Sequence, residues 1–360
     1  MRNVSLYAFL LFIGSTATSI NPLYEFDSAS YGFEENAIYL SGGFDYGKEY
    51  YTDTVFSIYQ DYKQENLYIP LKISYAINKC YLFGLLLPAY KVSYTHFYDY
   101  GEFGTSSDNS SNFDFSNPWV FLKAFLFSTG DGVLILNERL GGKIPYGPYS
   151  LENQMGDYYT NYPAAQKPIT GDRNITFNLG TIYGLYPKGT AFILDGQVDF
   201  NYSLNNTYYY PRLTYYDPNT GNKSSVEESA QITPSKKFDL FIEPGFNWGL
   251  NKQLSTHIIL EYHTSLNKYK SIYIWNDGNS HRDEYNIKDS NIFSLGVKQD
   301  FTFDRNNKIM FKIIDDMSVS KSNINKKGFI NDNLIEDNSY GINVNKGWYI
   351  SLGYIFITNI

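Results

Sequence analysis

Apolar and polar residues alternate along two hairpins in the middle of the chain, Asn117–Pro145 and Arg173–Leu204. The first strand of the second hairpin carries the apolar residues Ile175, Phe177, Leu179, Tyr183 and Leu185. Alternation over more than about ten residues is longer than in most soluble strands, but it suits a strand that crosses a bilayer at a tilt. We therefore interpret each hairpin as two membrane-crossing strands whose apolar face meets lipid.

The same alternation recurs before and after these hairpins. The further segments that show it are Ala37–Gly47, Leu67–Ile77, Cys80–Phe97, Lys237–Leu250, Gln253–Trp275, Asp289–Asp304, Asn307–Ser320 and Gly347–Ile360. Short turns alternate with long polar connections, which we predict to be the loops Lys48–Gln64, Tyr98–Ser116, Tyr146–Asp172, Asn205–Lys236, Asn276–Lys288 and Lys321–Asn345. About twelve strands result, and short periplasmic turns with long outer loops are typical of outer-membrane barrels. The sequence therefore predicts an all-β protein that forms a closed antiparallel transmembrane β-barrel.

The composition supports this fold class. The chain contains 36 Tyr and 26 Phe, and aromatic residues favour strands. No apolar run of about 18 residues follows the N-terminus, which argues against transmembrane helices. The formal net charge of −8 gives no reason to expect a nucleic-acid partner, and the single cysteine, Cys80, excludes an intramolecular disulfide.

The N-terminus has the features of a signal peptide over residues 1–19. Arg2 supplies the positive charge, Val4–Ile13 the apolar core, and Ala17-Thr18-Ser19 a cleavage site of small residues. Residues 20–36 then form a short segment that lies in the periplasm or folds into the lumen, and residues 37–360 form the barrel. We expect export to the bacterial outer membrane, with outer-membrane lipid, lipopolysaccharide, the outer-membrane assembly machinery and a small-molecule solute as partners.

Several segments carry a resemblance to a known family. The chain reads LGGKIPYG over Leu140–Gly147, TGD over Thr170–Asp172 and EPG over Glu243–Gly245, and Asn117–Phe127 belongs to the same set. Together these segments resemble the outer-membrane barrels grouped as transporters of the MetA pathway of phenol degradation. That family is distantly similar to the fatty-acid outer-membrane transporters. The resemblance implies passage of small molecules, including hydrophobic or aromatic ones.

The lumen face follows by subtraction once the apolar face is assigned to lipid. The basic residues predicted to point inward are Lys72, Lys91, Lys123, Arg139 and Lys143. The acidic residues and histidines predicted to point inward are Asp195, Asp199, Asp239, Glu243, His257, Glu261 and His263, and two later strands add Lys298, Asp300, Lys312 and Asp316. Because strand order in an up-and-down barrel is spatial order, we expect a basic arc to face an acidic arc.

Two interpretations of these charges stay open. In the first, the opposed arcs create a transverse field that orients polar or zwitterionic solutes in a passive channel. In the second, the charges pair across a nearly filled lumen, and the barrel has a structural role or a surface-interaction role such as that of an adhesin or receptor. A soluble secreted β-protein is a third alternative.

Enzymatic chemistry is not predicted, and no cofactor is expected. No Ser-His-Asp arrangement or Gly-rich phosphate loop is apparent, and an outer-membrane phospholipase would need a Ser and a His on the lipid face. His257, Glu261 and His263 could suggest a metal site. On a strand, however, they spread over about 20 Å at 3.3–3.4 Å per residue, so we predict no metal site there.

Three polar residues, Glu138, Gln299 and Asp315, fall on the nominal lipid face. A charge at the bilayer midplane would cost about 2–4 kcal/mol. Either these residues lie near an interface, or a β-bulge shifts the register of their strands.

Overall fold

The computed structural model describes residues 33–55, 58–99, 104–129, 134–144, 175–216, 223–248, 253–276, 279–289, 291–304, 306–320, 322–344 and 347–359. The regular elements in these ranges are β1 (Ala37–Val55), β2 (Ile58–Ala76), β3 (Tyr81–Asp99), β4 (Thr105–Phe115), β5 (Trp119–Ser128), β6 (Leu134–Lys143), β7 (Thr176–Leu185), β8 (Phe192–Ser203), β9 (Asn206–Tyr216), β10 (Lys223–Thr233), β11 (Lys237–Trp248), β12 (Leu254–Ser265), β13 (Tyr269–Asn276), β14 (Ser280–Lys288), β15 (Ile292–Thr302), β16 (Asn307–Val319), β17 (Ser322–Ile330), β18 (Asn333–Val344) and β19 (Trp348–Asn359). The predicted signal peptide, residues 1–19, and the whole of the predicted loop Tyr146–Asp172 lie outside the described residues.

Twelve of these strands close into one antiparallel barrel. Their order around the wall is β1, β2, β3, β5, β6, β7, β8, β11, β12, β15, β16 and β19. The barrel closes between its first and last strands, from Ala37 paired with Asn359 to Lys48 paired with Trp348. The predicted fold class, an all-β closed barrel of about twelve strands, is therefore confirmed.

The alternation along each strand separates a lumen face from a lipid face. In β15, Phe293, Leu295 and Val297 are exposed on the outside, whereas Ser294 and Lys298 are buried inside. The outward face is thus apolar and the inward face polar, as a barrel in a bilayer requires. No helix that could span a membrane occurs in the described part of the chain.

Several polar segments predicted to be loops are strands instead. β1, β2 and β3 continue past the predicted strand ends, β4 lies within Tyr98–Ser116, and the hairpins β9/β10, β13/β14 and β17/β18 account for most of the later predicted loops. These parts form an outer sheet in the order β4-β3-β2-β1-β18-β17-β14-β13-β10-β9. Because β2 has 19 residues, it is about 60 Å long at 3.3–3.4 Å per residue, far more than an apolar band of about 25 Å needs. Above that band the outward face of a strand meets water instead of lipid, so the apolar alternation that marks a membrane strand is missing.

Polar side chains stabilise the points where barrel strands pass into the outer sheet. The predicted single strand Gln253–Trp275 is interrupted there and forms β12 and β13. Asp289 Oδ2 accepts hydrogen bonds from Ser235 Oγ at 2.7 Å and from Ser265 Oγ at 2.6 Å. These bonds link three strand ends at one level of the wall.

The polar residues on the lipid face find partners or lie near a strand end. Thr181 Oγ1 donates a hydrogen bond to Glu138 Oε1 at 2.8 Å. Gln299 accepts from Thr256 Oγ1 at 2.9 Å, close to the periplasmic end of β12. Asp315 is the Cα partner of Trp348, the first residue of β19, and a bulge lies nearby in β16, opposite Phe293 and Ser294 of β15. Glu138 and Gln299 therefore keep the predicted register in their own strands, although β5, which pairs with the strand of Glu138, has a bulge between Phe125 and Phe127.

The described short turns close as their sequences indicate. Asn78 Oδ1 accepts hydrogen bonds from the main-chain N–H groups of Cys80 at 2.8 Å and of Tyr81 at 2.9 Å. Gly189 ends the Pro187-Lys188-Gly189 turn with a φ of 73°, a conformation that glycine adopts without strain. Cys80 is an exposed free cysteine beside the first of these turns.

Candidate functional site

A buried arginine on β6 and a buried aspartate on β8 form an ion pair on the lumen side of the wall. Arg139 Nη2 lies 2.5 Å from Asp199 Oδ1, and both side chains are fully buried. Arg139 Nε also donates to Asn178 Oδ1 at 3.1 Å. Gly180 lies between the two partners, and a Cβ there would come within 2.4 Å of Asp199 Oδ1 and 2.8 Å of Arg139 Nη2. Glycine on the intervening strand β7 therefore allows the ion pair to form.

A second ionic cluster surrounds Lys298 on β15. Lys298 Nζ forms a salt bridge with Glu243 and lies 3.7 Å from Asp300 Oδ2. The ring of His257 lies between two acids, with Nε2 3.5 Å from Asp300 Oδ2 and Nδ1 3.9 Å from Asp195 Oδ2. All of these side chains are buried, so each charge is stabilised by the neighbouring charges rather than by water.

Glu261 is the centre of a third cluster. Its carboxylate lies 3.4 Å from His263 Nε2 and 3.6 Å from Lys312 Nζ, and it accepts a hydrogen bond from Tyr349 Oη at 2.5 Å. His263 Nδ1 lies 2.9 Å from Asp239 Oδ1. The bond from Tyr349 joins β19 to β12 across two intervening strands, which narrows the lumen at this level.

The periplasmic end of the lumen is apolar and holds Phe33. This residue precedes β1, is 5% exposed, and packs in a buried cluster with Ala76, Leu82, Leu86, Trp119 and Phe121. Lys123 Nζ lies 5.8 Å from the centre of the Phe33 ring. Phe33 was not predicted as a lumen residue, although the possibility of a lumenal segment before the first strand was.

Most residues predicted to line the lumen lie on the inner face. Inward positions hold Lys72, Lys123, Arg139, Lys143, Asp195, Asp199, Asp239, Glu243, His257, Glu261 and His263, together with Lys298, Asp300, Lys312 and Asp316. Lys72 Nζ, for example, lies 5.2 Å from the centre of the Phe121 ring.

Lys91 is the exception. It is exposed and shares the outer face with its Cα partners Leu67 and Phe113. The inward placement predicted for Lys91 is therefore wrong. The reason is that β3 is apolar on both faces through Leu82–Ala89, so its sequence does not define which face meets lipid.

The charges are arranged along the wall rather than across the lumen. The acidic strands β8, β11 and β12 lie between the basic strands β5 and β6 on one side and β15 and β16 on the other. The salt bridges Arg139–Asp199, Lys298–Glu243 and Lys312–Glu261 each skip one strand. The expected basic arc directly opposite an acidic arc is not the arrangement seen, because the basic residues flank the acidic ones.

The described residues contain no group of three or more His, Cys, Asp or Glu side chains arranged to hold a metal ion. His263 and Glu261 do approach each other, but Lys312 and Tyr349 take up the same carboxylate. The geometry of the lumen is thus that of ion pairs and hydrogen bonds.

A further ionic cluster lies in the outer sheet. Lys326 Nζ is 3.5 Å from Asp283 Oδ2 and 2.7 Å from Glu336 Oε2, and it lies 5.9 Å from the centre of the Tyr285 ring. Burial raises the pKa of Asp283 above its ordinary value of 3.8, and the nearby Lys326 ammonium only partly opposes this effect.

This raised pKa predicts a pH dependence for the outer sheet. A raised pKa means that the folded sheet binds the Asp283 proton more tightly than the unfolded chain does. The contribution to stability is therefore complete below about pH 3.8 and is lost as the pH rises through the raised pKa. Asp283→Asn should remove this loss, as measured by hydrogen exchange of β14 and β17 corrected for the intrinsic pH effect. Asp337→Asn, the same change at an exposed position, is the control, and an equal response of both variants would contradict the prediction.

Comparison with known proteins gives a likeness to other barrels at low identity. No protein-family model matches the chain, and no curated protein matches it. Among solved structures, an outer membrane channel from Pseudomonas putida F1 is 12% identical, with 93% of this chain and 100% of that chain covered and a TM-score of 0.48. The Pseudomonas putida toluene transporter TodX is 7% identical, with 93% and 92% covered and a TM-score of 0.43. The outer membrane protease OmpT from Escherichia coli is 10% identical, with 91% and 99% covered and a TM-score of 0.37.

The first of these proteins is described as an outer membrane channel and the second as a toluene transporter. The TM-scores are low, and the assignment of a closed barrel rests on the strand register of this chain.

Proposed function

We propose that the protein is a bacterial outer-membrane channel that admits small molecules by passive diffusion. The observation that carries the proposal is the ionic lining of the lumen, in which Arg139, Lys298 and Glu261 are buried with their partners. Removing ions from water is costly, and a well-packed apolar filling of similar volume is often as stable or more stable. A barrel with a purely structural role has no need of such a lining, whereas a passage that fills with water when it opens does.

A second feature fits a lumen that can hydrate. Asn137 is completely buried, and within the described residues neither polar atom of its side chain has a hydrogen-bond partner. A buried amide without partners costs about 1–3 kcal/mol, and water entering the lumen would remove that penalty. The lining favours solutes that carry a charge or a dipole, and the sequence resemblance favours aromatic ones. Uptake assays should therefore compare small amino acids, aromatic acids and neutral hydrocarbons.

Phe33 is the residue whose removal should open the channel. Phe33→Ala would remove one phenyl ring from the apolar cluster at the periplasmic end, and with it the ring that lies beside the Lys123 ammonium group. We expect higher conductance in planar bilayers and faster solute-dependent swelling of proteoliposomes than with the parent protein. Phe303→Ala, which shortens a phenylalanine that is 59% exposed on the outside, is the matched control and should change neither measurement.

The opposite outcome has a clear meaning. A Phe33→Ala barrel that migrates in a heat-modifiable manner, and is therefore folded, but gives no conductance and no swelling would overturn the channel proposal.

The alternative is a structural or surface-interaction barrel with an occluded lumen. The observation that favours it is the complete burial of the Arg139–Asp199 pair and of the Glu261 carboxylate in the described structure. The outer sheet would then be the working part of the molecule. Absence of conductance from both the parent and Phe33→Ala, with binding of a surface ligand retained, would support this alternative.

A further inference from the structure

Four lysines lie at the level where the barrel passes into the outer sheet. Lys268 and Lys270 are exposed on either side of the buried Tyr269, and the exposed Lys288 follows Ile287, the Cα partner of Tyr269. Lys236 completes the group. Its main-chain N–H donates to Asn267 Oδ1 at 2.5 Å, next to Lys268 in the chain. We call Lys236, Lys268, Lys270 and Lys288 the rim patch.

The rim patch borders the apolar exterior of the barrel. Leu266, two residues before Lys268, is 57% exposed, and Phe293 at the top of β15 is 39% exposed. Two residues of strand correspond to about 7 Å at 3.3–3.4 Å per residue. Lys236 Nζ lies 4.8 Å from the centre of the ring of Tyr202, an outward-facing aromatic residue at the same border. Aromatic residues at such a border mark the membrane interface, so the lysines stand at the height of the lipid headgroups.

Two acidic side chains near the rim patch have hydrogen-bond or ion-pair partners of their own. Asp289, the residue after Lys288, accepts hydrogen bonds from Ser235 and Ser265. Glu284 pairs with Arg282, whose Nε lies 3.1 Å from Glu284 Oε1. Among the residues that the structure describes, no ion pair is found for Lys268 or Lys270.

An anion bound at the rim patch would stabilise this arrangement. Like charges on neighbouring strands repel each other, and the repulsion is removed when an anion lies between them. Lysine ammonium groups near a membrane surface contribute about 1 kcal/mol each to the attraction of anionic lipids. The patch combines positive charge, an aromatic border and an apolar surface directly below it, which complement the anionic headgroup, the interfacial region and the acyl chains of a phosphorylated lipid.

We propose that the rim patch binds the headgroup phosphates of a lipopolysaccharide-type glycolipid in the outer leaflet. The apolar surface around Leu266 and Phe293 contacts the acyl chains, while Lys268, Lys270 and Lys288 contact the phosphates. This site depends on the barrel spanning a bilayer and does not depend on passage of a solute through the lumen.

The test is a binding titration of the full, detergent-solubilised barrel with a fluorescent, bisphosphorylated lipid A. The triple variant Lys268→Gln, Lys270→Gln and Lys288→Gln should lower the affinity by about 100-fold, since three lysines at about 1 kcal/mol each correspond to two factors of ten at 1.4 kcal/mol per tenfold. Replacing the same three lysines with Arg should retain most of the affinity, because the charge is kept.

A control triple, Lys79→Gln, Lys188→Gln and Lys327→Gln, makes the same change in net charge at two periplasmic turns and at the outer sheet, and it should bind like the parent protein. Equal losses in the two Gln triples would overturn the proposal, and so would an unaltered affinity of the rim triple.

Two competitors separate the possible ligands. Tight binding of a dephosphorylated glycolipid, or full displacement of lipid A by inorganic phosphate, would contradict a lipid-phosphate site. If the rim triple fails to fold, the single variant Lys270→Gln should still lower the affinity for lipid A, and the parent's affinity should fall as the salt concentration rises. An unchanged affinity in both measurements would overturn the proposal.

Discussion

Arg139→Met should lower the free energy of unfolding of the barrel by about 3–5 kcal/mol, the usual effect of leaving one member of a buried ion pair without its partner. Asp199 would lose the guanidinium at 2.5 Å, while the hydrogen bonds from the neutral groups of Gln197 and Asn178 would remain. Methionine fills much of the volume of arginine, so the expected loss is electrostatic rather than a cavity effect. Urea unfolding of the barrel in lipid vesicles, followed by the heat-modifiable gel shift, gives the measurement.

A double variant separates the unpaired charge from the loss of packing. Arg139→Met together with Asp199→Leu removes both charges and should recover most of the stability, because a buried ion pair replaced by apolar residues of similar volume is often neutral or stabilising. Lys91→Met is the matched control, since Lys91 is an exposed basic residue on the outer face. The interpretation fails if Lys91→Met destabilises the barrel as much as Arg139→Met does.

The barrel itself could be predicted because a membrane imposes a simple rule on every strand that crosses it. In β7 and β8, Phe177, Leu179 and Phe200 point toward lipid, and Asn178 and Asp199 point toward the lumen. This rule identified the number of barrel strands and the closed antiparallel barrel that they form.

The outer sheet could not be predicted from the same rule. In β4, the stretch TSSDNSSNFDF has polar residues at both alternating sets of positions over most of its length. A strand whose outward face meets water instead of lipid needs no apolar set of residues, so its main-chain pairing with β3 leaves little trace in the sequence.

The pairing of charges in the lumen was also beyond the sequence. The alternation shows that Arg139 and Asp199 face inward, but the choice of partner depends on Gly180, which leaves room between them on β7. Phe33 gave no periodic signal, because it precedes the first strand and enters the lumen from a turn at Asn36, whose φ is 60°. Local geometry of this kind determines whether the lumen is filled or open, and the alternation of polar and apolar residues does not encode it.

The ionic lining links the stability of the barrel to its permeability. Three of the lumen salt bridges connect strands that are not neighbours, and so does the hydrogen bond from Tyr349 on β19 to Glu261 on β12. A change that breaks one pair should therefore weaken the barrel and widen the lumen together. A lumen closed by apolar packing alone would lose stability on mutation without gaining ion selectivity.

Lys298→Met should show both effects. Lys298 is the one ion-pair partner found for Glu243 among the described residues, whereas Asp300 also lies 3.6 Å from Lys308 Nζ and 3.5 Å from His257 Nε2. Removing the ammonium leaves Glu243 buried without a counter-charge, and we expect a loss of about 3–5 kcal/mol in the free energy of unfolding. In planar bilayers the carboxylate should attract water and cations, so the reversal potential in a salt gradient should shift toward cation selectivity.

The double variant Lys298→Met with Glu243→Leu serves as the internal control. It removes the unpaired carboxylate, so it should recover stability and lose the cation selectivity, whereas Lys79→Met at an exposed periplasmic turn should change neither property. Destabilisation by Lys298→Met without any change in the reversal potential of an open barrel would mean that the ionic lining does not border the permeation path. A gain of cation selectivity that the double variant reverses would place Glu243 on that path. The carboxylates that line a permeation path make a channel prefer cations to anions.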